Sequence, residues 1–145
     1  MSSIRPNSLM NLSSYLTTVS LFGCGLRGKL EDNILCLPSL QTLNLGGNSQ
    51  LEGSLPISNW SSSLKFLDLS YTSLSGELPD SIGNLKSLKY LKLYYCNFMG
   101  SIPASLGNLT QITFLDLSSN NFSGEIQLPL SKFGGFQQPH QTNIF

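Results

Sequence analysis

The sequence predicts a solenoid of stacked coils in which each coil adds one short strand to a parallel sheet. Leucine or isoleucine recurs at an exact spacing of 24 residues. Each of these residues is followed by apolar residues three and five positions later. On a strand, the last two apolar side chains of this pattern share one face. A self-similar period of this length is typical of repeat proteins. The three columns are Leu16, Leu40, Leu64, Leu88 and Ile112; Val19, Leu43, Leu67, Leu91 and Leu115; and Leu21, Leu45, Leu69, Leu93 and Leu117.

The second half of each repeat predicts the outer side of the coil. Glycine recurs at Gly76, Gly100 and Gly124, where a β-carbon would be costly for a positive φ or for a close backbone approach. Proline follows at Pro56, Pro79 and Pro103, where it fixes φ and removes a donor. Coils stacked about 4.8 Å apart would place a parallel sheet on the concave face and short extended or 3-10 segments outside.

The composition excludes several function classes. Charged residues make up 11% of the chain, and eight basic residues balance eight acidic ones, so no basic surface for nucleic acid is predicted. The N-terminal residues MSSIRPNSLMNLSSYL contain no apolar run of the kind a signal peptide needs. No apolar stretch approaches the roughly 20 residues that cross a bilayer. We therefore expect neither a signal peptide nor a membrane span in this chain.

A column of polar residues follows the strands and is predicted to form a structural ladder. Asparagine suits this place because its amide both donates to and accepts from backbone groups that would otherwise be buried unpaired. Threonine and cysteine do so less completely. An odd number of cysteines at wide spacings fits no zinc motif and no disulfide framework, so all three are expected as buried thiols. The ladder is Cys24, Asn48, Thr72, Cys96 and Asn120; the third cysteine is Cys36.

The repeats resemble those of a known family. The segments are LEGSLP from Leu51, LSGELP from Leu74, FMGSIP from Phe98 and FSGEIQ from Phe122. Together with the leucine columns they are similar to plant extracellular leucine-rich repeats, whose consensus is LxxLxxLxLxxNxLxGxIPxxLxxL. The resemblance covers about residues 6–126. More narrowly, the chain looks like part of the ectodomain of receptor-like proteins of the Cf disease-resistance class.

The resemblance implies a non-catalytic module without a cofactor. Such a module would bind a protein, peptide or carbohydrate-bearing ligand outside the plasma membrane and pass the event to a membrane co-receptor kinase, in defence or development. Two alternatives remain open at this point: a soluble inhibitor resembling the polygalacturonase-inhibiting repeat proteins, and a truncated gene copy without activity. The domain prediction is a partial preceding repeat over residues 1–15, five repeats with the last incomplete over 16–133, and a disordered tail over 134–145.

The exposed strand face is the default binding site in this fold. Aromatic residues stand in register on it, and two interpretations apply: a stabilising cross-strand ladder or a binding stripe. The candidates just after the opening residue are Phe66, Tyr90 and Phe114, and those beyond the strands are Tyr71, Tyr94 and Tyr95, with Phe22 nearby.

Charged residues form two further columns on this face. Asp68, Lys92 and Asp116 follow Asn44, and we expect an exposed acid–base–acid salt ladder. The two carboxylates would lie roughly 10 Å apart, near the separation in inverting glycosidases. The intervening lysine and the expected exposure argue against catalysis. Lys89 belongs to the second column, with Lys65, and could meet an acidic ligand.

Four Asn-x-Ser/Thr sequons predict glycosylation if the protein is secreted, and all are expected outside the strand face. They begin at Asn11, Asn59, Asn108 and Asn121. The single histidine, His140, has no partner for a catalytic arrangement. We predict no catalytic residue, no metal site and no nucleic-acid motif.

Overall fold

A computed structural model describes residues 14–124 and contains two parallel five-stranded sheets. The strands alternate between the sheets along the chain, so each coil contributes one strand to each. The first sheet contains β1 Thr18–Ser20, β3 Thr42–Asn44, β5 Phe66–Asp68, β7 Tyr90–Lys92 and β9 Phe114–Asp116. The second contains β2 Arg27–Lys29, β4 Gln50–Gly53, β6 Ser73–Glu77, β8 Asn97–Gly100 and β10 Asn121–Phe122.

The register of the first sheet follows the 24-residue period. Leu43 pairs with Leu67, and Leu67 pairs in turn with Leu91. All three side chains are fully buried, and they form one continuous core with the leucines of the other columns. The predicted solenoid, with a parallel sheet on one side and short helical turns on the other, is confirmed.

Short 3-10 helices close the coils on the side away from the first sheet. They span Asp32–Cys36, Asp80–Asn84 and Ala104–Asn108. A proline precedes each of the last two, with a φ near −70° that leads the chain into the turn. These turns stack so closely that a β-carbon on Gly83 would lie 2.5 Å from the carbonyl oxygen of Ser105. Glycine is therefore required where one coil lies on the next.

The first described coil is less covered than the others. Leu16 and Leu21 are each 38% exposed, while the equivalent leucines of the inner coils are buried. No described coil lies beyond them to cover these side chains. The predicted partial repeat and the predicted tail lie largely or wholly outside the described residues. No helix within residues 14–124 is long and apolar enough to cross a bilayer.

Candidate functional site: the first-sheet face and the groove beside it

The polar ladder joins neighbouring coils through two asparagines. The Asn48 amide donates to the carbonyl oxygens of Leu21, Leu45 and Gly46 at 2.7–3.2 Å. Its side-chain oxygen accepts from the Leu26 backbone N–H at 2.9 Å. One buried side chain therefore satisfies backbone groups of two coils.

Asn120 repeats this arrangement three coils later. Its amide donates to the carbonyl oxygens of Leu93, Leu117 and Ser118, and its oxygen accepts from the Phe98 N–H. The pattern supports a structural role for both asparagines.

Thr72 and Cys96 occupy the same column with fewer bonds. The Thr72 hydroxyl donates to the Leu69 carbonyl oxygen at 2.8 Å. The Cys96 thiol lies 3.1 Å from the same oxygen and 3.5 Å from the Thr72 hydroxyl. Both side chains are smaller than asparagine, so this part of the ladder has fewer links between coils.

The expectation that all three cysteines are buried is wrong for two of them. Cys96 is buried, Cys24 is exposed and Cys36 has intermediate exposure. Cys24 belongs to the first described coil, and its thiol lies 3.6 Å from the Phe22 carbonyl oxygen in the same turn. Because no described coil lies beyond it, this end of the ladder faces solvent.

Burial predicts a protected thiol at Cys96. Desolvation raises the pKa of Cys96, although hydrogen bonding to Thr72 acts in the opposite direction. We expect iodoacetamide at pH 8 to modify Cys24 quickly and Cys96 only after unfolding, as read by peptide mass spectrometry. Equal alkylation rates at the two cysteines would contradict this expectation.

The raised pKa of Cys96 in the folded state also makes stability depend on pH. The contribution of the neutral thiol to stability is present below pH 9.0 and is lost as the pH rises further.

Three aromatic rings stack across the first sheet. The Phe66 and Tyr90 ring centroids are 4.3 Å apart with planes 10° from parallel, and the Tyr90 and Phe114 centroids are 4.4 Å apart with planes 9° from parallel. Tyr90 uses both faces of its ring for its neighbours. The geometry favours the stabilising ladder, because few ring faces are left for a ligand.

The acid–base–acid ladder does not form as expected. Asp68 and Asp116 are 6% and 8% exposed, so the expectation of exposed carboxylates is wrong. Each carboxylate accepts from the hydroxyl and the backbone N–H of the serine two residues later, Ser70 or Ser118. Within residues 14–124, neither forms an ion pair with Lys92. These short local bonds outcompete a cross-strand pair because they need no ordering of a long lysine side chain.

Burial and the two buried carboxylates raise the pKa of Tyr90, the central residue of the aromatic stack. Burial raises the pKa of Tyr90, and the negative charges of Asp68 and Asp116 raise it further. Its phenol therefore remains neutral and able to donate at any physiological pH.

Lys89 and Lys65 are exposed, so the second charged column is accessible to a ligand.

A second aromatic group, Tyr71, Tyr94 and Tyr95, lies at the ends of β5 and β7; we call it the tyrosine cluster. The Tyr71 ring meets Tyr94 edge to face at 5.1 Å and Tyr95 at a tilt of 33° and 5.4 Å. Hydrogen bonding to Tyr94 raises the pKa of Tyr71. Tyr71 and Tyr95 are 45% and 59% exposed. This cluster, in contrast to the stack, presents aromatic surface to solvent.

The backbone conformation of this cluster was not predicted from the sequence. Tyr71 and Tyr95 have φ of 55° and 56°, in the left-handed region, and Ser119 has the same value one repeat later. Gly23 and Gly47 hold the equivalent places with φ of 62° and 72°. The two glycines at 24-residue spacing were the available signal, because glycine takes this conformation without strain.

A groove of about 620 Å³ runs beside the tyrosine cluster and across the coils. Its floor is the ladder, and residues of equivalent repeat position form its two sides. Its lining comprises Tyr71, Tyr95 and Ser119 on one side; Thr72, Cys96 and Asn120 on the floor; Ser49, Ser73, Asn97 and Asn121 on the other side; and Met99. None of these residues is charged at neutral pH.

The sequons fall at different distances from this groove. Asn59 is exposed with φ of 62°, and Asn108 is exposed at the end of a 3-10 helix. Asn121 lies in β10, outside the first sheet, yet it lines the groove. Asn11 lies outside the described residues. Metal-binding groups of three or more His, Cys, Asp or Glu are absent from the part of the chain that the structure describes.

Comparison with known proteins identifies the repeats. The family model described as Leucine Rich Repeat matches residues 63–85, 87–109 and 111–133. Receptor-like protein 6 of Arabidopsis thaliana is 42% identical over 71 residues, which are 49% of this chain and 7% of that protein. Receptor-like protein Cf-9 of Solanum pimpinellifolium is 38% identical over 79 residues, which are 53% of this chain and 9% of that protein. The chain thus spans less than a tenth of the length of these curated relatives.

Solved structures share the fold. The plant peptide hormone receptor RGFR1 in complex with RGF2 superposes with a TM-score of 0.80 at 39% identity, over 91% of this chain and 21% of that one. A chain of the BIR3–SERK2 complex from Arabidopsis thaliana gives a TM-score of 0.73 at 38% identity, over 81% of this chain and 63% of that one.

The chain is therefore a leucine-rich repeat solenoid of the plant type, a non-catalytic module. Its repeats are similar to those of plant receptor-like proteins, including Cf-9, and the resemblance predicted from the repeat sequences of this chain is thus confirmed.

Proposed function

We propose that this chain is a ligand-recognition module from the ectodomain of a plant receptor-like protein. Its ligand is a protein or peptide, and it acts on the extracellular side of the plasma membrane in defence or developmental signalling. A membrane co-receptor kinase is the proposed signalling partner. The similarity to Cf-9, to a peptide hormone receptor and to a chain of the BIR3–SERK2 complex supports this proposal.

The observation that carries the proposal is the tyrosine cluster. Exposed tyrosines are common anchors of protein interfaces, because a rigid ring buries a large area at little cost in conformational entropy. Tyr94 contacts Tyr71 and Tyr95, and both of these neighbours are exposed beyond the ends of β5 and β7. Lys89, exposed on the same sheet, adds a positive charge that would select an acidic group on the ligand.

Selection of binders from a displayed library of random peptides tests the proposal on the full chain. We expect enriched peptides, and we expect Tyr94→Ala to weaken their binding by about fivefold or more, since truncation of an interface anchor costs about 1 kcal/mol or above. Tyr90→Ala should weaken binding if the stack is also part of the interface. Circular dichroism should not change for Tyr94→Ala.

Tyr15→Ala is the matched control, because it removes a tyrosine that is 82% exposed and lies before β1. Its affinity should equal that of the unmodified chain. Failure of the library to yield any specific binder would overturn the proposed function. If the binders were insensitive to both Tyr90→Ala and Tyr94→Ala, the first-sheet face would not be the binding surface.

A further inference from the structure

The groove beside the tyrosine cluster runs along the stacking direction of the coils. It is lined by residues of four successive coils, from Ser49 to Asn121. With coils about 4.8 Å apart, three spacings give a length of roughly 14 Å. A partner that fills the groove is therefore a narrow, extended segment that crosses the strands.

The backbone at the edge of the groove is in the left-handed region at Tyr71, Tyr95 and Ser119. Gly23 and Gly47 show that glycine serves the same position of the repeat, where φ is positive. Tyrosine in the left-handed region is unfavourable, because its β-carbon crowds the backbone. Such outliers cluster at functional sites. Tyr71 and Tyr95 thus occupy places where folding alone would favour glycine, and their exposed rings are available to a partner.

The lining indicates the chemistry of the partner. It combines two tyrosine rings and the exposed Met99 with hydroxyl and amide groups, without a charged side chain. A charged segment would lose hydration here without gaining an ion pair. Polyproline II segments have no internal hydrogen bonds, so their carbonyl groups are free to accept from a donor such as the exposed Asn97 amide, while their rings pack against aromatic side chains.

Two other kinds of occupant fit the geometry less well. An added β-strand would need a free sheet edge, whereas this groove lies where strands of both sheets end or begin. A sugar ring would need a flat, open aromatic face. Tyr71 instead meets Tyr94 edge to face and is tilted by 33° from Tyr95, so the three rings share no common plane.

We infer that the groove binds an uncharged, proline-rich segment of the protein ligand in the polyproline II conformation, with Tyr71 and Tyr95 as its ring contacts. The inference rests on the proposed ligand-recognition role and assigns a part of the ligand to a place beside the first sheet.

A titration with blocked hexaproline tests the inference on the full chain. Six residues at about 3.1 Å each cover the length of the groove, and acetyl and amide ends keep the peptide uncharged. With chemical shifts of the tyrosine ring resonances as readout, we expect saturable shifts at Tyr71 and Tyr95. Tyr95→Gly should raise the Kd by about tenfold or more, while its Tm stays unchanged or rises because the strain is relieved.

Tyr15→Ala and a blocked peptide of alternating aspartate and proline are the controls. The first should leave the Kd unchanged, and the second should bind more weakly. Equal affinity of the acidic peptide, or shifts produced only by a chitin hexasaccharide, would overturn the assignment. A large fall in the Tm of Tyr95→Gly would also overturn it, because the ring would then serve the fold. If random peptides bind through Tyr94 but hexaproline does not bind, this inference fails and the proposed function stands.

Discussion

Phe98→Ala is expected to lower the free energy of unfolding by about 3–5 kcal/mol. Phe98 lies in β8 and is among the largest side chains with no exposed surface. Its truncation removes buried apolar area and leaves a cavity that the stacked leucines cannot fill, because each coil is held in register by its neighbours. Urea denaturation followed by circular dichroism measures the effect.

Met99→Ala is the matched control for this substitution. Met99 is the next residue of the same strand and is 51% exposed, since successive side chains of a strand point to opposite faces. We expect its effect on the free energy of unfolding to be within about 0.5 kcal/mol. Similar losses for Phe98→Ala and Met99→Ala would contradict the placement of Phe98 in the core.

Asn48→Ala should have the second large effect, a loss of about 3 kcal/mol, because each buried backbone group left without a partner costs about 1–3 kcal/mol. Asn48 is 1% exposed and makes four hydrogen bonds, of which those with Leu26 and Leu21 connect two coils. Its removal leaves the Leu26 N–H and the Leu21 carbonyl without their link to the next coil. The expected measurement is the shift of the denaturation midpoint in urea.

Asn48→Thr and Asn97→Ala complete this experiment. Threonine should retain one donor bond, as Thr72 does with the Leu69 carbonyl, so Asn48→Thr should fall between the unmodified chain and Asn48→Ala. Asn97 is exposed in β8, and its truncation should change stability by less than about 0.5 kcal/mol. If Asn48→Ala and Asn97→Ala proved equally mild, the ladder would not hold the coils together.

For the aromatic residues, the sequence predicts the alignment across strands but not the orientation of the rings. Register alone aligned Phe66, Tyr90 and Phe114, because a fixed period carries equivalent positions onto neighbouring strands. Whether the rings offer their faces to each other or to solvent depends on side-chain rotamers, which periodicity does not specify. The rings stack on each other, and this is why we propose the tyrosine cluster rather than the stack as the ligand contact.

For the aspartates, the contacts predicted from register were wrong. Their alternation with Lys92 suggested a cross-strand salt ladder, but a serine two residues after each carboxylate provides a closer partner. Both Ser70 and Ser118 are visible in the sequence. The local bond was missed because the sequence does not reveal how the chain turns at the end of the strand.

By itself, the sequence determined the repeat period, the solenoid, the buried leucine columns and the residues of the ladder, because a 24-residue period fixes which side chains recur on each face. Only the tertiary structure decided the exposure of Cys24, the burial of Asp68 and Asp116, and the groove beside Tyr71 and Tyr95. These features depend on turn geometry and on contacts between coils. A left-handed φ, a rotamer and a neighbouring coil are properties of the folded chain, and a one-dimensional pattern of residue types does not contain them.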